Sequence, residues 1–239
     1  MSKSFNKEKV YLKKITTLEG AVVWLVDGEY VRKEIDENFT EFDHAPHFPF
    51  IPAHELWIDK DTDRREHHFF INHFIAEKSL MQSGIPVDEA HVAAEKLEEH
   101  ARLSTLSKKI LALRDDHHEL IKRIHRDLLQ EYSTPDVRIW LVDGQLVRDF
   151  FLNEYSEGGH DRVYPFIPEG EIWIERVLSE HERRFIILHE LHERFLMGNK
   201  GGKKTYPNGH HGATIVEAHY RNHPEKLEAR IKEELAKQG

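Results

Sequence analysis

Val23-Trp24-Leu25-Val26-Asp27-Gly28-Glu29-Tyr30-Val31-Arg32 returns 116 positions later as Ile139-Trp140-Leu141-Val142-Asp143-Gly144-Gln145-Leu146-Val147-Arg148. At the same offset Phe48-Pro49-Phe50-Ile51-Pro52 returns as Tyr164-Pro165-Phe166-Ile167-Pro168, and Glu55-Leu56-Trp57-Ile58 as Glu171-Ile172-Trp173-Ile174. The chain holds one pattern twice, so its two copies serve as an alignment of two sequences. What both copies keep points to common architecture or chemistry. What one copy alone carries points to specialisation.

Each copy reads in the same order. A β-branched run such as residues 21–26 meets Asp-Gly, a hairpin signal, and an alternating return strand at residues 29–35 follows. A polar loop, the Phe-Ile-Pro segment and a short strand at residues 55–58 or 171–174 complete three strands per copy. Asp63-x-x-Glu66 and Ser179-x-x-Glu182 read as capping boxes opening helices that run to about Met81 and Met197. Second helices start after Pro86 and after Pro207-Asn208. The later one ends near His223, and a charged amphipathic helix over residues 224–237 finishes the chain. Residues 106–132 carry no helix breaker before Ser133-Thr134-Pro135 and read as one long connector packed through Ile110, Leu113, Leu120, Ile121, Ile124 and Leu128. The expected fold is α+β: two tandem repeats, each a small antiparallel sheet plus a helical hairpin, joined by a long helix. The expected divisions are an N-terminal repeat at 1–104, the connector at 105–135 and a C-terminal repeat at 136–239.

Composition narrows the function. The 239 residues include no cysteine, which removes disulfides, thiolate zinc sites and a cysteine nucleophile and fits a reducing compartment. A formal charge of −9 argues against nucleic acid or anionic membrane as partner. No apolar run is long enough to span a bilayer, and the polar start Met1-Ser2-Lys3-Ser4 lacks a signal-peptide core. A soluble cytoplasmic protein is expected. The chain also holds 19 histidines, and their position in the repeat decides which of them matter.

Two histidines and two glutamates recur in both copies. His73 and Glu77, or His189 and Glu193, stand four apart and share a helix face. In the following helix His91 and Glu98 match His210 and Glu217, two turns apart on one face. The offset there is 119, so three residues enter the Gly-rich turn at 199–204 of the second copy, where a loop could cover a site. Brought together, each set is His2Glu2, suited to zinc and equally to Fe(II), Mn(II) or Co(II). Arg102 and Arg221, one turn beyond Glu98 and Glu217, are placed to orient those carboxylates. His44 and His160 also recur, and His160 is a further candidate ligand or substrate contact. The plainer alternative for the whole set is a buried hydrogen-bonded network that fixes how two helices cross.

Only the second copy has Glu190 after its first histidine, where the first copy has Phe74. His189-Glu190-Leu191-His192-Glu193 resembles the HExxH helix of zincin-type metallopeptidases, with Glu193 in place of the second histidine. The resemblance implies His189 and Glu193 as ligands, a further ligand from His210 or Glu217, and Glu190 as the general base. The glutamate substitution makes such a site more anionic. The run His-Glu-x-x-Glu, Leu-Met, Tyr-x3-His-x6-Glu, preceded by Val-Asp-Gly and Phe-Ile-Pro, also resembles uncharacterised bacterial and phage proteins, here in tandem. The zincin-type resemblance, and not the second, implies a metal-dependent, most simply zinc-dependent, hydrolase acting on a peptide or small amide in the C-terminal repeat, with an N-terminal repeat lacking the base. The competing class is a non-catalytic scaffold, metal-stabilised or hydrogen-bonded, that binds a protein partner, a phage component among the candidates. A dinuclear carboxylate–histidine site is a third arrangement.

Overall fold

The computed structural model describes residues 5–198 and 204–238. Most of the turn expected to cover a site, residues 199–203, lies outside the described residues. The chain is mixed α and β and forms two compact units. The first is residues up to His117 together with Val147–Glu154, and the second is His118–Leu146 with residues from Tyr155 onward.

In the first unit α1 (Lys7–Val10) leads into β1 (Tyr11–Leu18) and β2 (Ala21–Val26), then α2 (Gly28–Glu34), β3 (Phe42–His44), β4 (Glu55–Asp59), α3 (His67–Gln82), α4 (Val87–Thr105) and the short α5 (Lys108–Leu111). The sheet order is β1-β2-β4-β3, and β2 pairs with β4 in parallel, placing Trp24 opposite Trp57. The sheet is therefore mixed and four-stranded, which corrects the expected small antiparallel sheet. A parallel pair needs a crossover rather than a tight turn. Asp27, expected in a hairpin, instead caps α2 by accepting the Tyr30 N–H at 3.3 Å. Gly28 is required by close packing: a Cβ there would fall 1.9 Å from Asp59 Oδ2. Alternation along β4 sends Trp57 to a cluster with Val31, Phe39 and Ile51, and Leu56 and Ile58 to Phe70 and Phe74 of α3. One face of the sheet thus fixes α3, the helix that carries His73 and Glu77.

The second unit holds α6 (His117–Ile124, from its second residue), β5 (His125–Leu128), β6 (Arg138–Val142), the start of α7 (Gly144–Phe150), β7 (Gly158–His160), β8 (Glu171–Glu175), α8 (Glu180–Gly198), α9 (Tyr206–Arg221) and α10 (Leu227–Ala236). Its sheet order, β5-β6-β8-β7, has the same pattern, with β6 and β8 parallel and Trp140 opposite Trp173. The expected long connector is not one helix. It breaks near Asp116 and turns into β5 at His125, because the apolar run continues as an edge strand beside β6. Ile172 and Ile174 of β8 pack against Phe185, Ile186 and Leu188 of α8, and Leu227 and Ile231 of α10 join that core.

The expected capping boxes are also corrected. Ser179 Oγ does accept the Glu182 N–H at 3.2 Å. Glu66, however, sits at the N-cap of α3 with no side-chain cap bond, and both glutamates instead bind buried arginines, as described below. Among the described residues no helix is long and apolar enough to cross a membrane.

Candidate metal centre

In the second unit α8 presents His189 and Glu193 one turn apart, and α9, packed along it, brings His210 against them. His189 Nε2 lies 3.2 Å from His210 Nδ1 and 3.4 Å from Glu193 Oε2. His210 Nδ1 lies 3.5 Å from the same oxygen. Three ligand atoms about 2.0–2.1 Å from one tetrahedral ion are separated by about 3.4 Å. Neighbouring ligands of an octahedral ion at about 2.1 Å would be only about 3.0 Å apart. These residues could hold a metal ion, and their spacing is compatible with tetrahedral ligation.

Glu217 takes a different place from the one a four-ligand set assigned it. Its Oε2 accepts from His189 Nδ1 at 2.8 Å, which leaves Nε2 as the nitrogen that faces the cluster. Glu217 Oε1 in turn accepts from Arg221 Nε at 2.8 Å. The other edge of Arg221 donates to both oxygens of Glu182, at 2.8 and 3.0 Å. Glu182, Arg221, Glu217 and His189 thus form one buried relay that fixes the imidazole. Burial pushes Glu193 and Glu217 up, but His189 and His210 around the first, and Arg221 and His189 around the second, outweigh it and hold both at about 2.

His160, at the end of β7, is fully buried. Its Nδ1 accepts the Arg162 N–H at 3.1 Å, so its Nε2 carries the proton, and burial, outweighing Glu193 and Asp161, lowers its pKa to about 4. That Nε2 and Glu193 Oε1 are buried atoms with no hydrogen-bond partner among the described residues. A donor N–H and a carboxylate oxygen left in this way mark a place for a bound water. His192 is not part of the cluster: its Nδ1 lies 3.0 Å from Glu234 Oε1.

Glu190 is buried on α8. Burial raises its pKa to about 8, the His189 charge offsetting this in part and Glu193, Glu217 and Glu157 adding to it. The side chain has room because β7 offers Gly158 there. A Cβ on Gly158 would lie 2.8 Å from Ile186 Cγ2 and 3.3 Å from Glu190 Cγ. In the first unit the equivalent residues are Phe42, Phe70 and Phe74. Phe42 stacks on Phe70 with ring centres 4.1 Å apart and meets His73 edge-on at 5.9 Å. Three aromatic rings stand where the second unit has Gly158, Ile186 and Glu190. Gly158→Ala is expected to destabilise the second unit by about 1–3 kcal/mol, the usual cost of an overpacked core, read from urea unfolding. An unchanged midpoint would show that the space around Glu190 is not tight.

The first unit repeats the triangle. His73 Nε2, His91 Nδ1 and Glu77 Oε2 lie 3.4 Å from one another in each pair. Glu98 accepts from His73 Nδ1 at 2.8 Å, and Arg102 donates to Glu98 at 2.8 Å and to Glu66 at 2.8 Å. Arg148, from the second sequence copy, belongs to this unit and donates to Glu66 at 2.5 Å and to Glu41 at 2.9 and 3.0 Å. Sequence reasoning missed the roles of Glu66 and Glu182. Their retention in both copies was visible but was read as helix capping. His47, which contacts Glu77, was missed because only one copy has it. Gly158 gives no signal in sequence because its role, close packing against Ile186 and Glu190, is set by tertiary structure alone.

Compared with protein-family models, curated proteins and solved structures, the chain matches none.

Proposed function

We propose that the second unit is a single-metal hydrolytic centre in which His189 Nε2, His210 Nδ1 and Glu193 bind a divalent transition metal, zinc first among candidates. The observation that carries this reading is the triangle of donor atoms with edges of 3.2–3.5 Å. Two imidazoles and one carboxylate make up the same donor set as open catalytic zinc sites of the His2Glu type. With Glu217 on the far side of His189, the charge of the set is that of such sites and not the more anionic His2Glu2.

Such a metal supplies a Lewis acid and acidifies a bound water. The residues supply the rest. Arg221 and Glu217 hold the His189 tautomer. A cation beside Glu190 would draw its pKa down from its raised value, making it a base that takes a proton from the attacking water and passes it to the leaving amine of a peptide or small amide. His210, with 43% of its side chain exposed, marks the side from which substrate reaches the cluster. The two units are read as descendants of one duplicated fold, working in the cytoplasm, with the −9 charge turning nucleic acid away.

The second reading is a hydrogen-bonded scaffold that binds a protein partner. The observation favouring it is that the relay from Glu182 to His189 is satisfied by protein groups alone. Elemental analysis separates the two. Protein purified without added metal is expected to carry a transition metal at one or two equivalents per chain, and a chelator should lower its melting temperature. Metal-free protein whose melting ignores the chelator leaves only the scaffold.

A further inference from the structure

In the first unit four imidazoles surround one carboxylate. Glu77 Oε2 lies 3.2 Å from His44 Nε2, 3.4 Å from His73 Nε2 and 3.4 Å from His91 Nδ1. Glu77 Oε1 lies 2.8 Å from His47 Nε2. The His47 ring centre stands 5.0 Å from that of His91, and ligand atoms of His47, Glu77 and His91 all fall within 4.8 Å of one another. In the second sequence copy the residue in register with His47 is Val163.

The tautomers also separate the copies. His44 Nδ1 bonds the Ala45 carbonyl, which can only accept, so that nitrogen carries a proton. With Nδ1 taken up by that carbonyl, His44 presents its Nε2 to Glu77 Oε2, 3.2 Å away. His160 has the opposite assignment, with a proton on Nε2, because its Nδ1 accepts a backbone N–H. The first cluster is therefore richer in donors to a metal than the second. It is also poorer in everything a reaction needs, since Phe74 replaces the base and Phe42 stands where the second unit has Gly158.

We propose that the first unit is a second metal centre of closed type, in which His47 joins His73, Glu77 and His91 as fourth ligand, stabilising the unit and leaving no position for substrate. Four protein ligands complete a tetrahedron, the mark of a structural rather than a catalytic zinc site. This rests on the reading that the His/Glu triangles hold metal, but it is tested apart from the second unit.

The test uses cobalt(II) as a spectroscopic probe in the full chain carrying His189→Ala and His210→Ala. One cobalt per chain is expected, with the intense visible bands of four-coordination and no change on adding azide. Adding His47→Ala should weaken cobalt binding by about 100-fold or more, beyond the ~10–100-fold typical of losing a residue that only orients a ligand. It should also make the spectrum respond to azide. Loss of cobalt from the His189→Ala/His210→Ala chain while the unsubstituted chain still binds one would overturn the closed centre and leave the second unit's centre standing. Azide sensitivity with His47 in place, or an effect of His47→Ala no larger than that of a nearby surface alanine, would also overturn it. If the doubly substituted chain does not fold, the unsubstituted chain decides. Two cobalt ions of which one ignores azide support the proposal. A single azide-sensitive ion refutes it, and a single azide-insensitive ion supports it while removing the hydrolytic centre.

Discussion

Arg221→Ala is expected to destabilise the second unit by about 3–5 kcal/mol, the scale for removing one partner from a buried ion pair. The size follows from what is left behind. Glu182 and Glu217 are both buried, and both carboxylates are held by this one guanidinium. Its removal leaves two carboxylates without their shared guanidinium and vacates the face of Phe185, whose ring centre lies 4.6 Å from Arg221 Cζ. Chemical unfolding would measure the loss. Arg221→Met tests the cause, because it keeps most of the packing volume. If charge dominates, Arg221→Met should be nearly as damaging as alanine, and adding Glu182→Gln should recover part of the loss. The same substitution frees Glu217 from its second bond, so metal affinity should fall by about 10–100-fold, as for other residues that orient a ligand. A midpoint within error of the unsubstituted chain would show that the relay is incidental.

Glu190→Gln is expected to lower hydrolysis of a responsive peptide or amide substrate by about 10²–10⁴-fold, the range supplied by a positioned general base. Glutamine keeps the shape and the fit against Gly158 while removing the proton acceptor. Metal content should be unchanged, because none of the three triangle atoms belongs to residue 190. Stability should hold or rise, since burial disfavours a charged Glu190, and a neutral amide escapes that cost. Retained activity with metal bound would remove Glu190 as the base and shift attention to His160 and the metal alone. Loss of metal together with activity would show that residue 190 supports the ligands instead.

The sequence made some of this legible and hid the rest for identifiable reasons. The helical pairs His189 with Glu193 and His210 with Glu217 were readable because four- and seven-residue spacings put side chains on one face whatever the tertiary fold. Spacing could not say which carboxylate faces the ion and which faces the back of an imidazole. Glu193 and Glu217 meet opposite ring nitrogens of the same His189. Asp27-Gly28 misled because the same dipeptide serves a hairpin or a helix N-cap. The choice was made by Asp59 of β4, which bonds the Gly28 N–H at 3.1 Å across a parallel pairing that no local signal announces. Residues 117–128 misled because a helix of only two turns and an edge strand share one apolar run.

The membership of Val147–Glu154 in the first unit bears on how the gene can be divided. A fragment ending at residue 135, where the copies part in sequence, would lack Arg148 and so deprive Glu66 and Glu41 of its guanidinium. The complementary fragment would lack α6 and β5 and so lose a strand of its own sheet. A cut at that sequence boundary leaves each half short of a segment that the other carries. The two copies can diverge in chemistry while each unit still draws on chain from both.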